Sequence, residues 1–123
     1  LMDPDRIAVA LCGDGGFAAT MNELETAVRE GAHPIAVVFD NERYGTIAGR
    51  QLQEGRPTRS TDLGAVDFAA VARAHGALGF TVEDDAAFES VLREAITSRR
   101  TSVIHVKVDR AWLSADEHPL SDS

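Results

Sequence analysis

Apolar runs and helix-period segments alternate from one end of the chain to the other, the pattern of a parallel sheet flanked by helices. Ile7 to Leu11 and Ile35 to Phe39 are unbroken apolar stretches bounded by Gly, Pro or Asp. Such runs suit strands covered on both faces, and these two are expected at the centre of the sheet. Val103 to Val108 alternates instead, with His105 and Lys107 opposite Ile104, Val106 and Val108, which predicts a strand with one face in water. Leu78 to Val82 is a weaker fourth strand. Phe17, Met21, Leu24 and Val28 recur at helical spacing, so residues 17–30 are expected to form an amphipathic helix ended by Gly31. Phe68, Val71, Ala72 and His75 mark a second helix, capped by Asp67 and stopped by Gly76. Phe88, Val91, Leu92, Ala95 and Ile96 mark a third, begun at Asp84-Asp85 and ended near Arg99-Arg100. Residues 54–64 are polar and aperiodic and read as a loop.

The predicted architecture is therefore a doubly wound, mainly parallel α/β domain with helices on both faces. The chain opens on Leu1 only a few residues before its first apolar run, and it reads as N-terminally incomplete. Residues 1–110 are assigned to the domain and 111–123, which carry Trp112, to a C-terminal tail.

Charge narrows the partners. Twenty acidic against twelve basic residues give a formal net charge of −8, and the cations form no patch in sequence, which argues against nucleic acid and anionic membrane. No apolar run approaches membrane-span length and no signal pattern opens the chain, and a single cysteine excludes an internal disulfide framework, so a cytoplasmic location is expected. Cys12 is the single cysteine and is read as core packing, while His33, His75, His105 and His118 lack the spacing of a metal site.

The chemistry concentrates in Cys12-Gly13-Asp14-Gly15-Gly16-Phe17, where a strand gives way to a helix. Glycine turns at the carboxyl end of a parallel sheet let the backbone approach phosphates closely. The same residues read as a plain tight turn. They also read as a dinucleotide fingerprint, Gly13-x-Gly15-x-x-Ala18, with Asp40 near the place of a ribose-binding acid. Asp14 weighs against that second reading, because a carboxylate beside a pyrophosphate repels it unless a cation stands between them. Mg²⁺ suits the gap: it takes hard oxygens and is held by one or two carboxylates plus substrate phosphates. Asn41, just past the second strand, offers an amide oxygen, and the next backbone carbonyls offer more. Asp40 is read as a neighbour supporting the site rather than as a ligand.

Gly13-Asp14-Gly15, followed after 25 intervening residues by Asn41, resembles the cofactor motif of the thiamine diphosphate-dependent decarboxylases and carboligases. The resemblance extends through Gly16-Phe17, Asn22 to Ala27, Tyr44 to Ile47 and Asp67 to Ala72, most of the chain up to Asp109. It is strongest to the C-terminal cofactor domain of the acetolactate synthase-like group. The resemblance implies thiamine diphosphate and Mg²⁺ as cofactors, with Asp14, Asn41 and the main-chain carbonyl of Arg43 as metal ligands. It implies that Gly13, Gly15 and Gly16 present backbone to the diphosphate and that Tyr44 and Gly45 form a loop closing over it.

The same resemblance implies an enzyme acting on a 2-keto acid by decarboxylation or carboligation. No catalytic residue is expected within these 123 residues, because the family's tautomerising glutamate comes from a separate pyrimidine-binding domain, usually of another subunit of a homo-oligomer. Alone, the chain is expected to be inactive. Two positions depart from the group. Arg50 stands where a tryptophan is typical, and Thr46 and Ile47 stand where Met and Val are frequent, so condensation of two pyruvates does not follow. A nicotinamide-binding Rossmann domain and a non-catalytic receiver-like signalling domain are the alternatives.

Overall fold

A computed structural model describes residues 3–113. Four parallel strands form one sheet: β1 (Val9–Gly13), β2 (Ile35–Asp40), β3 (Leu78–Val82) and β4 (Ser102–Lys107), in the order β1-β2-β4-β3. Between them run α1 (Asp14–Thr20), α2 (Glu23–Arg29), α3 (Gly45–Gln53), α4 (Phe68–Ala74) and α5 (Asp85–Ser98). The two faces carry separate cores. Phe17, Leu24, Phe68 and Ala72 from α1, α2 and α4 pack on Val38 and Val103, while α5 sets Ala95 against Ile35, Val37, Val82 and Ile104 of the other face. The expected layering of helices on both faces is observed.

Three expectations change. The first strand lies at the edge, not the centre: β2 and β4 are central, and Val9 and Leu11 are exposed, Leu11 at 73%. Apolar character alone does not fix a strand's place in the sheet; here β4, despite its His and Lys, takes the middle position. Second, β4 has no wet face at His105, which is 1% exposed under the ring of Phe68 and bonded to Asp40. Third, the 17–30 helix is two helices that begin at Asp14. Met21 and Asn22 keep right-handed helical dihedrals, but the joint tightens to i→i−3 bonds, Leu24 N–H to the Met21 carbonyl and Glu25 N–H to that of Asn22.

The local stop and start signals hold. Gly31 takes a φ of 65°, and Ala32 N–H reaches back to the Ala27 carbonyl, closing α2. Asp67 accepts from Ala70 N–H at 2.9 Å and Asp84 from Ala87 N–H at 3.0 Å, capping α4 and α5. Helix α3 was not anticipated. Of the proposed tail, residues 111–113 are described, with Leu113 buried, and residues 114–123, with His118, lie outside the described residues. Among the described residues no helix is long and apolar enough to cross a membrane.

Candidate functional site

At the carboxyl ends of β1 and β2 the chain opens a cavity of about 670 Å³. Gly13, Asp14, Gly15, Gly16, Asn41, Arg43, Tyr44 and Gly45 all line it, so the residues singled out by sequence meet in one place although they come from two separate segments. Parallel pairing explains this: Gly13 is in register with Phe39, which puts the turn after β1 beside the turn after β2.

Asp14 opens α1 and is 5% exposed. Its Oδ1 accepts from its neighbour Gly15 N–H at 2.8 Å, and its Oδ2 from Arg43 N–H at 3.1 Å. The second bond ties the β2–α3 turn to the glycine turn. Burial raises the Asp14 pKa, and the facing carboxyl of Asp40 raises it further against the pull of the two N–H groups. Asp40 shifts the other way. Burial alone would raise it, but His105, Lys107, Glu42 N–H and Asp14 outweigh burial and hold it down to about 2. Two acids side by side, one stabilised as the anion and one not, make a place where a cation relieves repulsion.

Asn41 points its amide nitrogen at the Trp112 carbonyl, 2.6 Å away, which leaves its amide oxygen free of that contact. The Arg43 carbonyl accepts from Gly45 N–H at 2.8 Å and keeps a second lone pair. One carboxylate, one amide oxygen and one main-chain carbonyl form a hard-oxygen set of the kind Mg²⁺ takes. Among the described residues no group of three His, Cys, Asp or Glu gathers as a metal site.

Close packing fixes Gly15 and Gly45, while a Cβ on Gly13 or Gly16 would meet nothing. A Cβ on Gly15 would lie 2.3 Å from the Tyr44 ring, and one on Gly45 would lie 2.1 Å from the Leu113 carbonyl oxygen. Gly45 begins α3 rather than sitting in a covering loop, and Tyr44 is the residue before the helix. The β2–α3 turn is braced by residues 61–63: Tyr44 N–H donates to the Thr61 carbonyl, Leu63 N–H to that of Glu42, and Asp62 binds both Arg43 and Arg110.

Sequence reasoning missed most of the apolar lining of the cavity, Leu11, Phe39, Val108, Trp112 and Leu113, though Ile47, which it did single out, lines it too. Trp112 and Leu113 arrive from beyond the last strand, and no local pattern announces that. Cys12 also lines the cavity while packing on the core beneath it, and burial pushes its thiol pKa up. Arg50 is not among the lining residues; it is exposed and pairs with Glu54. Asp40, the acid required by the dinucleotide reading, is 2% exposed and fully engaged, so it has no reach to a ribose.

A glycine turn, a buried acid and an amide thus meet around one cavity at the carboxyl end of a parallel α/β sheet. Residues 1–106 match the family described as thiamine pyrophosphate enzyme, C-terminal TPP binding domain, and the chain belongs to that family. It is 36% identical over 109 residues to the catabolic acetolactate synthase of Raoultella terrigena, a match covering 89% of this chain and 20% of that protein. It is 32% identical over 115 residues to a 2-hydroxyacyl-CoA lyase of Oryza sativa subsp. japonica, covering 87% and 20%. A solved relative, benzoylformate decarboxylase from Polynucleobacter necessarius, superposes with a TM-score of 0.82 at 34% identity, over 86% of this chain and 20% of that one. The chain thus spans about a fifth of the relatives it matches.

Proposed function

We propose that this chain anchors the diphosphate end of thiamine diphosphate through Mg²⁺, within a larger 2-keto acid decarboxylase or carboligase resembling acetolactate synthase. The observation that carries the reading is the Asp14–Arg43 hydrogen bond, which docks the Asn41–Arg43 turn onto the glycine turn and gathers three oxygen donors at one sheet end. Asp14, Asn41 and the Arg43 carbonyl would hold the metal. Gly13, Gly15 and Gly16 would let the diphosphate approach the backbone, and Tyr44 and Gly45 would close the side of the site. An acidic chain can hold an anion this way, since one divalent ion and several amides neutralise it without basic side chains.

When bound, the cofactor supplies the electron sink that stabilises the carbanion left by decarboxylation. This chain's residues serve its anchor end; the catalytic glutamate would come from a pyrimidine-binding domain, in the family usually that of another subunit of a homo-oligomer. The chain alone is then inactive.

Calorimetric titration of thiamine diphosphate into the full polypeptide that carries this chain tests the reading. Binding is expected with Mg²⁺ and lost on chelation; equal binding without metal, or tight NAD binding indifferent to Asn41→Ala, overturns it.

A further inference from the structure

Beneath the glycine turn, outside the cavity lining, lies a buried polar cluster. Asp40 Oδ2 accepts from His105 Nε2 at 2.6 Å and from Lys107 Nζ at 3.0 Å, and Asp40 Oδ1 accepts from Glu42 N–H at 2.9 Å. A carboxylate only accepts, so Nε2 carries the imidazole proton. Phe68 stands edge-on to the imidazole with ring centres 5.2 Å apart, and the buried Nδ1 has no hydrogen-bond partner. An orphaned ring nitrogen and a buried acid are a poor way to fill a core position, where an apolar pair of the same volume serves at least as well.

The cluster's placement explains its retention. Asp40 directly precedes Asn41, and its grip on Glu42 N–H holds the turn in which Glu42 takes a φ of 55°, a conformation uncommon for a residue with a side chain. That turn delivers Arg43 N–H to Asp14. One buried side chain therefore holds the turn that reaches Asp14, and His105 and Lys107 of β4 fix it from behind. We propose that Asp40, His105 and Lys107 are positioning residues for the metal site, setting the aim of Asn41, the Arg43 carbonyl and Asp14 without touching the metal. The inference rests on the reading that those three groups hold Mg²⁺.

The test uses the full polypeptide and the Mg²⁺ concentration that half-saturates thiamine diphosphate binding, read calorimetrically well below the melting temperature. His105→Leu removes the donor to Asp40; His105→Gln keeps one. Loss of an outer partner typically costs 10–100-fold in metal affinity, so His105→Leu is expected to raise the half-saturating Mg²⁺ about tenfold or more, with His105→Gln restoring it to within about threefold. If both variants lower the melting temperature alike and leave the Mg²⁺ requirement at the wild-type value, the cluster is only structural and the proposal fails. Should His105→Leu not fold, Lys107→Met decides at the rim of the cluster: a shift of about threefold supports the proposal and none overturns it. A wild-type protein that binds the cofactor without metal refutes the underlying reading instead, so the two failures are distinguishable.

Discussion

The two halves of the sheet are built to different rules. In the half made of α4, β3, α5 and β4, helices start on Asp67 and Asp84 caps, Ala95, Ile104 and Val103 are buried, and strand residues fill the core. In the half made of β1, α1, β2 and α3, the helices α1 and α3 start without a side-chain cap, and Leu11, Phe39 and Ile47 stand exposed around a cavity. Gly15 is pressed against Tyr44 and Gly45 against the Leu113 carbonyl, and two acids, Asp14 and Asp40, are buried there. The capped half closes its helix starts with its own side chains. The other half carries groups and apolar surface that folding of residues 3–113 leaves unmatched, which is where a ligand does its binding.

That contrast can be broken at its strongest point. Phe68 joins Phe17 and His105 in edge-on contacts and is 2% exposed, so Phe68→Ala is expected to cost about 3–5 kcal/mol, measured by denaturant unfolding. A cost below about 1 kcal/mol would show that this half is no scaffold. Gly45→Ala probes the other half. Its new methyl meets backbone at Leu113, not a side chain that swings away, so about 1–3 kcal/mol is lost. The larger effect is expected in function: cofactor affinity in saturating Mg²⁺ falls about tenfold or more as the turn and Asn41 are displaced. Unaltered affinity would detach Gly45 from the site.

The smallest effect is a pH dependence confined to the capped half. Ala70 N–H holds the Asp67 carboxyl below the usual aspartate range. A carboxyl with a lowered folded-state pKa contributes stability above its unfolded pKa and loses it as pH falls through the folded value. The stability gap between wild type and Asp67→Ala should therefore be constant from neutral pH down to mild acid and shrink only below the ordinary aspartate range. A gap that persists there would mean the cap acts without its charge.

Local signals were legible in the sequence and long-range ones were not. Asp67, Asp84, Gly31 and Gly76 act within one turn of their own position, and each helix boundary they announce is present. The glycine turn and Asn41 are legible through a spacing that resembles the cofactor motif of the family. The edge position of β1 depends on which strands pair, a matter of the whole sheet. His105 read as solvent-facing because its partner Asp40 is 65 residues away, and alternation along one strand carries no record of that bond. Trp112 closing on Asn41 is a contact over 71 residues made by a backbone carbonyl, which has no side-chain signature at all. Helix α3 followed a turn whose residues were read for chemistry, and Gly45 and Gly49 depress helix propensity in it.

In the proposed function Asp14 meets a metal, and burial already disfavours its negative charge. Titrating Mg²⁺ in the presence of thiamine diphosphate against wild type, Asp14→Asn and Asp14→Ala measures this directly. On the proposed function both variants stay folded and lose metal-dependent binding by about 100-fold or more. Wild-type Mg²⁺ dependence in Asp14→Ala would contradict it.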